Sequence, residues 1–253
     1  MYTKLAADFF KYWSGMTIRR GISQAGVWLA EVLFPLFCLK CGAEGSILCS
    51  VCRAALSPPG FFACPLCHRP RAGGRACRRC RSDSALDSHS ALAAYREDDI
   101  WGRLIRTCKY QYVSQAVLAL DPAIAAFCRA NPFFFGFGQP VVIPVPLHPC
   151  REAERGFNQA SLVALSLAAA LGLRVAPLLA RPAWTRQQAK LGRGERERNV
   201  RGAFSLARGV SEAPRAVILA DDVYTTGSTM QECARVLKAA GAGWVTGFTL
   251  ARG

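Results

Sequence analysis

Asp221 and Asp222 stand side by side at the end of an apolar run, residues 216–220. Val223 and Tyr224 follow, and then a hydroxyl-rich stretch, Thr225-Thr226-Gly227-Ser228-Thr229. Next, Met230, Cys233, Leu237 and Ala240 recur at spacings of three and four, a helical pattern. The reading is strand, loop, helix, with the loop at the helix N-terminus. That position offers unpaired backbone N–H groups and partial positive charge. The hydroxyls add donors, and Gly227 lets the backbone come close. Together they suit a dianionic phosphate. The two aspartates would repel a phosphate they faced. They suit sugar hydroxyls, or a place near Mg²⁺. The stretch is neither a Walker A loop nor a dinucleotide fingerprint. The plain alternative is a capped turn, since Thr and Ser often cap helices.

A second chemistry lies in the cysteines. Eight of the twelve form C-x-x-C pairs: Cys38/Cys41, Cys49/Cys52, Cys64/Cys67 and Cys77/Cys80. Each pair can present two thiolates to one metal, and two pairs make a tetrahedral Cys₄ zinc site. Sequential pairing gives Cys38, Cys41, Cys49 and Cys52, then Cys64, Cys67, Cys77 and Cys80. Interleaved pairing uses the same eight. Such closed sites are structural. Redox pairs and iron–sulfur ligation are the competing uses of this spacing. His68 follows Cys67, but the ligand count is complete without it, so a surface position is expected. Cys108, Cys128, Cys150 and Cys233 show no pairing pattern.

The elements that must position these groups read as α/β. Residues 140–147 predict a strand with a proline-stiffened exit. A basic loop with Arg155 and Gly156 follows, then a helix over 160–171 ended by Gly172, then a strand over 173–179. Residues 244–250 predict the strand after the phosphate-loop helix. Repeated strand–helix–strand units build parallel sheets, whose ligands gather at the carboxyl ends of the strands. Residues 181–204 are rich in arginine and glycine. They suit a mobile anion-binding lid, or an exposed charged linker.

Composition bounds the rest. The chain has 253 residues, 51% of them apolar, enough for a sizeable core. A net charge of +15 favours anionic partners, unless arginine serves only solubility. Between residues 38 and 81, Lys40, Arg53, Arg69, Arg71, Arg75, Arg78, Arg79 and Arg81 face Glu44 alone, so this module could touch phosphate backbones. Residues 26–37 are too short to span a bilayer, which needs about 20 residues, and predict a packing helix. Residues 133–137 read as a packed connection. No apolar run precedes a small-residue cleavage site, and a cytoplasmic protein with no membrane span is expected.

Five features in order carry a family resemblance: the four C-x-x-C pairs; PVPLHP (144–149) with RGFNQA (155–160); TRQQAKL (185–191); ERNVRGAF (197–204); and VILADDVYTTGST (217–229) with ECARVLKAAGA after it. From Cys38 onward the chain resembles the ComF family. That resemblance implies a type I phosphoribosyltransferase fold, mainly a parallel sheet flanked by helices, with a small N-terminal double zinc ribbon. The domains implied are a helical segment (1–37), the double ribbon (38–85) and the phosphoribosyltransferase-like domain (86–253). Carried over by position, Asp221 and Asp222 bind the ribose hydroxyls of 5-phosphoribosyl 1-pyrophosphate (PRPP), within a motif that includes Val223 and Tyr224. Thr225, Thr226, Gly227, Ser228 and Thr229 cradle its 5′-phosphate. Arg155 and Gly156 lie on the pyrophosphate side. Lys190, Arg193, Arg196 and Arg198 are lid candidates for catalysis. Two structural Zn²⁺ sites, and Mg²⁺ with PRPP, are the implied cofactors. The family is linked to competence and the use of DNA, so single-stranded DNA and DNA-uptake proteins are the further partners implied. The competing function is non-catalytic DNA binding with a vestigial PRPP pocket. Cys150 stands where the family often has a basic residue, and Ala220 where a larger apolar one is usual.

Overall fold

The computed structural model of the chain describes residues 36–96, 99–110, 117–132, 138–183 and 200–253. The expected packing helix before Cys38, the connection at 133–137 and the lid residues Lys190, Arg193, Arg196 and Arg198 lie outside the described residues. Two compact units make up the chain, Met1–Cys49 and Ser50–Gly253.

The larger unit is built on a five-stranded sheet. In chain order its strands are β1 (Phe61–Phe62), β2 (Ser88–Ala94), β3 (Val141–Pro144), β6 (Ala216–Tyr224) and β7 (Trp244–Arg252), with spatial order β1-β2-β7-β6-β3. β2, β7, β6 and β3 run parallel, and β1 pairs antiparallel with β2 at the edge. β4 (Leu179–Ala180) and β5 (Ser205–Leu206) form a separate antiparallel pair. The parallel strands read as near-continuous buried runs because helices cover both faces of such sheets. Val217, Ile218, Leu219, Val245, Phe248 and Leu250 are all fully buried.

Among the described residues the helices are α1 (Ser50–Ala54), α2 (Ile100–Tyr110), α3 (Asp121–Ala130), α4 (Pro149–Arg155), α5 (Gln159–Leu171) and α6 (Ser228–Ala239). α5 packs on β3 and β6, while α2 and α6 pack on β7. The fold class expected from the sequence, a mainly parallel α/β sheet flanked by helices, is observed. Three local expectations change. β6 runs through both aspartates to Tyr224, because β7 continues beside it, with Asp221 opposite Thr249 and Tyr224 opposite Arg252. The strand expected over 173–179 is reduced to a bridge between Val175 and Val142. Pro177 then intervenes; it lacks the N–H a ladder needs. A short helix, α4, stands where a continuous loop was read.

α5 begins on a side-chain cap. Asn158 Oδ1 accepts from the Ala160 N–H at 3.0 Å, and its Nδ2 donates to the Val145 carbonyl at 3.0 Å. One buried amide thus starts the helix and holds the chain as it leaves β3. Asn158→Ala should cost about 2 kcal/mol, a lost cap plus an unsatisfied carbonyl. A urea midpoint equal to that of the native protein would refute this role.

Candidate metal and anion sites

The eight paired cysteines gather into two groups, Cys38, Cys41, Cys49 and Cys52, and Cys64, Cys67, Cys77 and Cys80. Within each, the four sulfur atoms lie inside 4.8 Å of one another. The pairing is therefore sequential. Cys41 Sγ and Cys49 Sγ are 3.7 Å apart, and Cys67 Sγ and Cys77 Sγ 3.8 Å. A tetrahedral zinc with Zn–S of about 2.3 Å has an S–S edge of about 3.8 Å, so both groups fit the ion. Cys49 N–H points at Cys38 Sγ, and Cys77 N–H at Cys64 Sγ, each at 3.4 Å. Burial raises the Cys38 and Cys64 pKa values, but these and neighbouring backbone N–H groups outweigh it and bring both thiols down to about 6. Thiolates at neutral pH are what a zinc ligand requires.

The two knuckles repeat one backbone design. Cys38 N–H donates to the Ala43 carbonyl and Cys64 N–H to that of Arg69. Phe37 bridges Glu44 as Ala63 bridges Pro70. The residue after the second cysteine takes positive φ in both, Gly42 at 76° and His68 at 64°. His68 was expected on the surface. Instead it is half-buried, its ring centroid 6.2 Å from that of Tyr224.

The candidate anion site lies where β6 ends. β3 stops at Pro144, opposite Ala220, so Asp221 and Asp222 extend beyond their neighbour on that side. Both are partly buried. The Asp222 N–H donates to Asp221 Oδ1 at 2.9 Å, and the Val223 N–H to Asp222 Oδ1 at 2.7 Å. Gly227, with φ of 79°, then turns the chain into α6. Thr226 Oγ1 and Ser228 Oγ sit 2.8 Å apart at the helix start, and the first turn carries no acidic residue. Thr225 is exposed; Thr226, Ser228 and Thr229 are half-buried. Hydroxyls and a helix N-terminus whose first turn carries no acidic residue are groups that could hold an anion, with the two carboxylates set before the loop.

The other motif residues divide. Val223 pairs with Ala251 in the sheet. Tyr224 is buried, and its hydroxyl donates to the Pro65 carbonyl at 2.6 Å. Arg155 ends α4 and donates to Gln159 Oε1 at 3.2 Å, while Gly156, left-handed at φ 76°, closes that helix. One arginine not singled out from the sequence joins the neighbourhood. Arg181 is buried over the Phe204 ring, 5.0 Å from its centroid. Its pKa is lowered by burial and then by Arg151, which outweigh the opposing pull of Cys233 and Asp221. Nothing in the local sequence marks Arg181 out among the arginines of this arginine-rich stretch. Glu232 on α6 accepts from the Gly202 N–H at 2.8 Å, anchoring the C-terminal end of the 181–204 segment.

Competence protein ComFC of Bacillus subtilis is 30% identical over 244 residues, covering 91% of this chain and 91% of that protein. The chain belongs to the ComF family. DNA utilization protein YhgH of Salmonella typhimurium is 30% identical over 224 residues, covering 81% of this chain and 96% of that one. Competence protein F of Haemophilus influenzae is 39% identical over 113 residues, which is 44% of this chain and about half (49%) of that relative. No family model matches the chain. Among the described residues, no helix of this ComF protein is long and apolar enough to cross a membrane.

Proposed function

We propose that this ComF protein binds PRPP and transfers or senses its phosphoribosyl group, in a cell process that takes up or uses DNA. One observation carries the reading. At the end of β6 two carboxylates, a left-handed glycine and converging hydroxyls meet a helix start without acidic residues, beside the early end of β3. Asp221 and Asp222 accept hydrogen bonds from the ribose hydroxyls. Thr225, Thr226, Gly227, Ser228 and Thr229 hold the 5′-phosphate. Arg155 and Gly156 lie toward the pyrophosphate. The two Cys₄ groups are read as structural zinc centres in a ribbon module (38–85) ahead of the transferase-like domain (86–253).

In the transfer reaction a nitrogen nucleophile attacks C1 of PRPP. A C–N bond forms, the C–O bond to pyrophosphate breaks, and the nucleophile's proton passes to solvent. Mg²⁺ bound with PRPP supplies charge neutralisation on the leaving group. Arg181 and the lid candidates Lys190, Arg193, Arg196 and Arg198 add fixed or closing positive charge there.

A second reading, binding of single-stranded DNA, is favoured by one observation. Arg69, Arg71, Arg75, Arg78, Arg79 and Arg81 are all exposed on or beside the second knuckle. One calorimetric series tests both. PRPP with Mg²⁺, ribose 5-phosphate and a single-stranded oligonucleotide are titrated into zinc-loaded protein. PRPP should bind at micromolar level and more tightly than ribose 5-phosphate. Asp221→Ala with Asp222→Ala should abolish PRPP binding while the fold survives. Unchanged PRPP affinity in the double variant removes the assignment. Oligonucleotide binding without PRPP binding makes the second reading the function.

A further inference from the structure

The phosphate loop is bracketed by two residues that both reach the second knuckle. On its N-terminal side, the Tyr224 hydroxyl donates to the carbonyl of Pro65, the residue after ligand Cys64. On its C-terminal side, Gln231 in the first turn of α6 accepts from the N–H groups of Ala85 at 2.8 Å and Leu86 at 3.3 Å. Its Nε2 donates to Ser84 Oγ at 3.0 Å, and the Ser84 N–H donates to the carbonyl of ligand Cys80. One bracket therefore grips the chain as it enters the knuckle and the other as it leaves. Between the brackets lie only residues 225–230.

A buried cation reinforces the first bracket. Arg252 is 3% exposed, and its Nη2 donates to the Cys64 carbonyl at 2.9 Å. Its Nη1 reaches the Ala63 carbonyl at 3.3 Å and His89 Nδ1 at 3.0 Å. Arginine only donates, so His89 Nδ1 accepts and its Nε2–H faces Thr249 Oγ1 at 3.1 Å. The guanidinium lies 4.7 Å from the Tyr224 ring centroid, and the His89 ring packs 3.9 Å from the same ring. Tyr224 is thus clamped on its ring by Arg252 and His89 and at its tip by the knuckle. No exposed side chain takes part in this path.

We propose that Tyr224 and Gln231 are positioning residues that lock the phosphate loop to the second Cys₄ knuckle, so that an intact, metal-bearing knuckle is required for the loop to hold a phosphate. The role of the loop as a phosphate site rests on the phosphoribosyl reading; the mechanical link does not. A knuckle without its metal loses the turn that presents Pro65 and the exit that presents Ser84 to Leu86. Both brackets then open, and residues 225–230 lose their fixed ends.

Hydrogen exchange over residues 225–235 tests the link, on the full zinc-loaded chain, with metal content read by native mass spectrometry. Tyr224→Phe keeps the ring and removes the knuckle bond. It should retain both metals, yet exchange faster over 225–235 by roughly three- to tenfold, the loss of one net hydrogen bond. Gln231→Met should do the same from the other side. Cys77→Ser should lose one metal and exchange at least as fast as either. Ligand titration then separates local positioning from general weakening. In Tyr224→Phe, affinity for PRPP and for ribose 5-phosphate should fall by that same factor, while affinity for inorganic pyrophosphate, which lacks a 5′-phosphate, should stay unchanged. Native exchange rates in both Tyr224→Phe and Gln231→Met overturn the proposal, as does an equal loss for all three ligands. Faster exchange in a protein whose native form binds neither PRPP nor ribose 5-phosphate upholds the link and removes the phosphoribosyl reading.

Discussion

Gly74→Ala should tear the second knuckle from the edge of the sheet. Gly74 lies between ligands Cys67 and Cys77, with φ of 61°. A Cβ there would fall 1.9 Å from the His89 carbonyl oxygen. That oxygen belongs to the backbone of β2, held between β1 and β7, and cannot swing aside as a side chain would. The next residues are fixed too. Arg75 bridges Ser88, and the Ala76 N–H donates to the Asp87 carbonyl at 2.9 Å. Left-handed strain and the clash together should cost about 4 kcal/mol, a large share of a domain's stability. Gly73 supplies the control. Its φ is 64°, yet nothing lies within 4 Å of a Cβ there. Gly73→Ala should cost only about 1 kcal/mol of backbone strain. Urea unfolding of the two variants, with metal content measured alongside, decides the matter. Equal midpoints for both would show that the knuckle does not sit against β2.

The second large effect belongs to Gly227→Ala. At φ of 79°, Gly227 already occupies the region that β-carbons resist. Its Cβ would meet Tyr224 Oη at 2.1 Å and Cζ at 2.3 Å. A tyrosine at the surface would swing away. This one is 1% exposed, stacked under Arg252 and bonded to Pro65, so the loop must move instead. The expected cost is about 3 kcal/mol, with complete loss of binding for any ligand that uses the 5′-phosphate loop. In a Tyr224→Leu background the clashing phenol is gone. The added cost of Gly227→Ala should shrink there to the strain alone, about 1 kcal/mol, because neighbouring changes are not additive. Strict additivity in that cycle would mean that the ring does not dictate the glycine.

These two glycines show what the sequence made legible. Gly227 stood out because hydroxyls and two aspartates surrounded it, and periodicity placed the helix after it. Gly74 carried no such sign. It is one of several glycines in a basic stretch, and its necessity comes from a carbonyl many residues away in the sheet. The cysteine pairs were readable because metal ligation is encoded in local spacing, but spacing left sequential and interleaved grouping open, and the fold brings together the sequential sets. The reach of β6 to Tyr224 was not readable. Polar residues ended the apolar run at Ala220, and only the length of β7 beside it carries the strand further. Tyr224 lay inside a recognisable motif, yet its contacts with Pro65, His89 and Arg252 are all long-range. Arg181 and Arg252 were hidden for a related reason. In an arginine-rich chain, nothing but burial distinguishes a cation held in the core from one that serves solubility.

β1 has a meaning for contact between chains. It is two residues long and is the outermost strand of the five-stranded sheet. Inside it lies β2, whose residues are nearly all buried and whose sequence, SHSALAA, bears no charge. Open, uncharged strand edges recruit strands from other chains. The cover over this edge ends just before Cys64, so it is continuous with the second knuckle. A chain in which this cover fails to form would present the β2 edge to strands of other chains.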